Sequence, residues 1–135
     1  MSTRCDIIIK DYGRTYEGKA WKTQIKLYHH HDGYPSGVGA FLIKEVLPML
    51  ENSNSIQCDN IANFLIKHKD DDEFECTAYN HVDIEYRYII DIPKKEISCL
   101  DGNYNDWDSP RPRFITRKKI DLSEYAPLRA EELYK

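Results

Sequence analysis

The chain has 135 residues, of which 41% are hydrophobic and 31% charged, with a formal net charge of -4. That length is read as one domain, 1–135, able to bury a real core. The acidic balance argues against a protein that coats nucleic acid wholesale, while leaving room for local basic patches, and the apolar runs are too short to span a bilayer.

Met1-Ser2-Thr3-Arg4 runs straight into a strand, with no signal-peptide pattern before it. Residues 5–10 contain Ile7-Ile8-Ile9, a β-branched run suited to a buried strand. Asp11-Tyr12-Gly13 reads as a turn into a second strand over 14–17, which Gly18 ends. Residues 22–31 read as a strand with Ile25, Leu27, His29 and His31 on one face and Lys26, Tyr28 and His30 on the other.

A helix is expected next. Pro35 holds Tyr34 away from helical angles, so the helix begins after it, with Ser36 as N-cap. Val38, Phe41, Leu42, Val46 and Met49 give its core stripe, and Pro48 is expected to kink or end it. After a polar connector at 51–55, a second helix starts at 56 or 59 and reaches 67, presenting Ile61, Phe64, Leu65 and His68. The acidic run 70–73 reads as a solvated turn, because it lacks the ligand spacing of a calcium loop.

Phe74, Cys76 and Ala78 alternate with Glu75, Thr77 and Tyr79. Val82, Ile84, Tyr86, Tyr88, Ile90 and Ile92 alternate with polar residues, the clearest period-two pattern in the chain, and imply a sheet with one wet face. Pro93-Lys94-Lys95 turns this strand into a hairpin with 96–100. Residues 102–113 read as a long irregular loop, 114–120 as a last strand, and 121–135 as a loosely packed tail with a short helix after Pro127. Strands, then two helices, then strands predict an α+β fold: a mainly antiparallel sheet packed against two helices.

Three clusters carry the candidate chemistry. The first is 28–39, Tyr-His-His-His-Asp-Gly-Tyr-Pro-Ser-Gly-Val-Gly. A helix that starts on glycines offers bare backbone N–H groups to an anion, so Asp32, Gly33, Tyr34, Ser36, Gly37, Val38 and Gly39 are candidate ligand contacts. Close packing of helix on strand, with positive φ at Gly33, explains the same glycines without a ligand. No phosphate-loop lysine and no dinucleotide fingerprint accompanies them, so no cofactor is implied.

The second cluster is the histidines. His29 and His31 would point the same way and could touch a ligand, act as base, or chelate a metal with Asp32 or His81; no third ligand is fixed, so no metal is assigned. The third is the late loop. Tyr104 or Trp107 could stack a base while Arg111 and Arg113 hold phosphates; a solvated basic edge strand is the plainer reading. The four cysteines form no Cys-x-x-Cys pair and read as free, mostly buried thiols of a reducing cytosol.

The Ser-Thr-Arg start, the Ile7–Ile9 strand and the 28–39 core resemble a group of small proteins from bacteriophages and mobile elements. These share the pattern His-x-Asp-Gly-Tyr-Pro-x-Gly-Val-Gly, and the likeness covers about the first third of the chain. The resemblance implies a phage or prophage setting, the cytoplasm of a bacterial host, and a role against host defence; it supplies no catalytic residue. Together these readings favour a non-catalytic binding protein for a small anionic ligand such as a nucleotide signal. A phosphate-ester hydrolase using His29 or His31 and a module inhibiting a host protein through a tyrosine-rich sheet face stand as alternatives, and an open sheet edge allows a homodimer.

Overall fold

The computed structural model describes residues 3–67, 74–77, 81–105 and 110–125. Its framework is one six-stranded sheet: β1 (Cys5–Arg14), β2 (Ala20–His29), β3 (Phe74–Cys76), β4 (Tyr86–Asp91), β5 (Glu96–Asn105) and β6 (Arg113–Ile120). The spatial order is β3-β2-β1-β4-β5-β6. Four neighbouring pairs are antiparallel and one, β1 with β4, is parallel. The class is therefore α+β as expected, and the sheet, expected to be mainly antiparallel, is mixed, with one parallel pair among its five. The parallel pair arises because the segment after β3 carries the chain across to the far side of β1: Glu85 N–H donates to the Arg4 carbonyl as β4 begins.

β1 and β2 form one long hairpin. Asp11-Tyr12-Gly13 does not turn, and no separate strand covers 14–17. Gly13 lies opposite Trp21, and a Cβ there would come 3.1 Å from the indole, so the glycine accommodates a ring laid on the strand. The real turn follows Arg14, where the Gly18 N–H donates to the Thr15 carbonyl and Gly18 takes φ +86. Since β4 pairs with β1 only as far as Lys10, residues 11–23 project as a two-stranded arm.

The helical segment α1 runs over 35–51 and α2 covers Cys58–Lys67. The first begins at Pro35, one residue before the expected cap; Tyr34 is the N-cap and contributes no side-chain bond, so Ser36 does not cap. Two π-helical turns, Pro35–Gly39 and Leu42–Val46, widen it before a regular stretch, Leu47–Glu51. Pro48 neither ends nor breaks the segment. The widened turn just before it accommodates the missing N–H and the ring. The wider turns also shift the buried phase: Val38, Leu42, Val46 and Leu50 are buried at strict four-residue spacing, and Phe41 and Met49 pack against the core only partly buried. In α2, Cys58, Ile61, Ala62 and Leu65 face inward.

Both helices cover one sheet face, where Cys5, Ile7, Ile9, Leu27, Tyr88, Ile90 and Cys99 join their apolar stripes in the main core. The first part of the expected loose tail belongs to this core: Leu122, in a 3₁₀ turn over Leu122–Tyr125, is buried. Residues 102–105, expected in a loop, extend β5. One extra residue of β6, Arg117, is accommodated between the Asp101–Lys118 and Gly102–Thr116 pairings. The hairpin at Pro93-Lys94-Lys95 forms as expected, with Lys95 at φ 55. His68, the acidic run 70–73, Ala78, Tyr79, Trp107 and the helix expected after Pro127 lie outside the described residues.

Candidate functional site

The expected anion corner is closed at its own atoms. The Gly33 N–H donates to the Thr3 carbonyl, that of Gly37 to Tyr34, and that of Val38 to Asp32. The Gly33 carbonyl in turn accepts the Tyr88 hydroxyl at 2.7 Å. A Cβ at Gly33 would sit 2.9 Å from the Cys5 side chain, one at Gly37 would collide with the Asp32 carbonyl, and one at Gly39 would come 2.9 Å from Leu122. Close packing accounts for all three glycines. The positive φ falls on Asp32, at 54, rather than on Gly33; aspartate tolerates that conformation better than most residues.

The histidine pair does not share a face. β2 ends at His29, whose ring is buried against Phe74 with centroids 4.4 Å apart. His31 lies beyond the strand and is exposed, so the two imidazoles sit in different surroundings. Asp32 accepts the Tyr34 hydroxyl at 2.8 Å, Ser36 is exposed, and Val38 and Gly39 are buried. Among the described residues no group of three or more His, Cys, Asp or Glu side chains is placed to hold a metal.

Arg113 starts β6 opposite Asn105, at the end of the sheet where β1 starts and β2 ends. With strands about 5 Å apart, this far edge lies four strands from His29. Arg111 and Arg113 are exposed, while Tyr104 is buried and already bonded.

Tyr104 belongs instead to a polar network on the helix-free face, which no motif announced. Arg87 grips Asp6 with two nitrogens, its Nε at 3.0 Å and its Nη2 at 2.9 Å, and also donates to the Tyr104 hydroxyl at 2.9 Å. Its guanidinium lies 4.5 Å from the Phe114 ring centre. The Asp6 side chain is 1% exposed, so the pair is locked rather than available. Beside it, Tyr28 donates to Asp83, which Arg4 also pairs at 3.2 Å, and His81 stacks on Tyr28 at 3.8 Å. Burial and the Asp83 carboxylate push the Tyr28 phenol up to about 12. The 81–84 crossover thus closes one end of this face, with Ile84, Tyr28, Tyr104 and Phe114 as a second small core.

The rest of the face is open. Residues opposite one another in register share a side, so Ile8, Lys10 and Tyr12 align with Lys26, Gln24 and Lys22 of β2. Ile89 continues the row on β4, Ser98 and Leu100 on β5, and Lys119 on β6. With the Asp6–Arg87 and Arg4–Asp83 pairs set aside, the described strands place Lys10, Arg14, Lys22, Lys26 and Lys119 here against Asp91, Glu96 and Glu75, the last of which pairs with His30. A chain with net charge -4 therefore turns a positive side outward. Burial lowers the Lys26 ammonium from its ordinary value. The signal was present in the sequence as Lys10-x-Tyr12-x-Arg14 and Lys22-x-Gln24-x-Lys26, which place cations on one side of a ribbon.

No helix among the described residues is long and apolar enough to cross a membrane. No protein-family model, no curated protein and no solved structure matches the chain.

Proposed function

We propose that the chain is a non-catalytic binding protein for an anionic ligand, held on the lysine-bearing, helix-free face of the sheet rather than at the glycine turn. The observation that supports this is the local excess of cations on one side of an acidic molecule, where phosphate or carboxylate groups are attracted and the remaining surface repels them. A nucleotide is the favoured ligand, and the phage likeness of 28–39 suggests a nucleotide signal of host defence. Calorimetric titration of mononucleotides and cyclic nucleotides tests the reading. Heat of binding is expected for the native chain and its loss when Lys10, Lys26 and Lys119 are changed to Glu. No heat with any of these ligands would refute it, and turnover of a phosphate ester abolished by His31→Ala would replace it with a hydrolase.

A second reading is favoured by one specific observation. Ile8, Ile89 and Leu100 form a partly exposed apolar row between the lysines, the composition of a docking face for an acidic host protein. Native mass spectrometry of the purified chain separates the two: a bound protein lost with Ile89→Glu supports this second reading, a bound nucleotide the first.

A further inference from the structure

The projecting arm, residues 11–23, combines features that the rest of the face lacks. Tyr12, Tyr16 and Trp21 are exposed aromatic rings, and Arg14, Lys19 and Lys22 outnumber Asp11 and Glu17. On its open side the register sets Tyr12 across from Lys22 and Arg14 across from Ala20. The small Ala20 side chain leaves a notch between larger neighbours. A groove of about 550 Å³ lies there, lined by Tyr12, Gly13, Arg14, Ala20, Trp21 and Lys22, a size in the range of small-ligand sites.

Two of these groups are held in place. The Tyr12 hydroxyl donates to Asp91 at 3.1 Å, which ties the ring to the neighbouring strand. One Arg14 nitrogen donates to the Gly18 carbonyl at 3.0 Å, which anchors the guanidinium and leaves further N–H groups on its fork. Trp21 lies flat on Gly13 and lines two further grooves, toward α2 and toward 53–57.

We propose that this arm is where one nucleotide unit is recognised: the base stacks against Tyr12 over Ala20, and its phosphate lies between Arg14 and Lys22. Stacking on an aromatic ring tolerates any base, and the two cations select a phosphate-bearing ring over a neutral one. The inference rests on the proposed anion-binding reading and names its site. A free nucleotide and a unit of a single strand share this chemistry.

The test uses the full chain with adenosine monophosphate, uridine monophosphate and a short single-stranded oligonucleotide, followed by calorimetry at two salt concentrations. Tyr12→Leu and Lys22→Glu are each expected to weaken binding about tenfold or more, and added salt to weaken it further. Tyr12→Phe keeps the ring, is expected to bind, and keeps the test valid if Tyr12→Leu fails to fold. Lys44→Glu, on α1, makes the same charge change away from the site and is expected to bind as the native chain does. Tighter binding of the oligonucleotide identifies a strand as the source, equal binding a free nucleotide. Binding lost with Lys26→Glu and Lys119→Glu but intact in both arm variants overturns the arm and leaves the general reading standing. No binding by the native chain overturns both.

Discussion

At the scale of single residues, two features reverse a first impression. Gly37 looks like a ligand contact and is a packing requirement: its Cα faces the Asp32 carbonyl. Gly37→Ala is expected to cost about 1–3 kcal/mol through overpacking, read by chemical denaturation, while leaving nucleotide binding on the sheet face intact. Asp6 and Arg87 look like ordinary strand polar residues and are a buried bidentate pair. Asp6→Ala strands a guanidinium in the small aromatic core and is expected to cost about 3–5 kcal/mol. The double change Asp6→Leu with Arg87→Met removes both charges and is expected to recover most of that loss; a double variant no more stable than Asp6→Ala alone would show that the pair itself is net stabilising.

At the scale of elements, legibility followed the range of the interactions. The alternation of residues 86–91 and the turn at Pro93 depend on neighbours in sequence, and both were readable. Local pattern alone places a turn at Gly13, whereas the reason for that glycine is an indole eight residues on, across the ribbon. The same holds for Gly33 and Gly39, whose neighbours Thr3, Tyr88 and Leu122 come from three distant segments. In α1 the expected stripe assumed regular α geometry, and two π turns moved its last member to Leu50. Leu50→Ala is accordingly expected to cost about 2–5 kcal/mol and Met49→Ala clearly less, as denaturation midpoints would show. Of the candidate site, the imidazole and glycine residues were found by their local pattern, but their chemistry depended on packing that no local pattern encodes. The cations of the open face were visible as alternation in two separate strands and needed the register to be joined.

At the scale of the whole molecule, the buried thiols and phenols make stability depend on alkalinity. Burial pushes the Cys99 and Cys58 thiols from an ordinary 9.0 up to about 11, and the Tyr28 phenol from 10.0 up to about 12. Burial raises Cys5 and Tyr88 as well. Each group holds its proton more tightly when folded, so the unfolded chain loses protons first as pH rises. Their contribution is complete below pH 9.0 and is lost progressively as pH climbs through 11 and 12. Denaturation midpoints are expected to fall steeply between pH 9 and 11, and Cys99→Ala to flatten part of that fall; a midpoint unchanged over this range would contradict the packing around Cys99.

The pairing of β1 with β4 also has a consequence for biosynthesis. Ile7, Ile8 and Ile9 can pair with β2 as soon as residues 25–27 have been made, but their other backbone edge finds its partner only when residues 88–90 have been made. Until then the nascent chain carries an isoleucine-rich strand with one bare side, the kind of edge that recruits stray strands. A chain with such an edge gains from a chaperone or from rapid elongation across that interval.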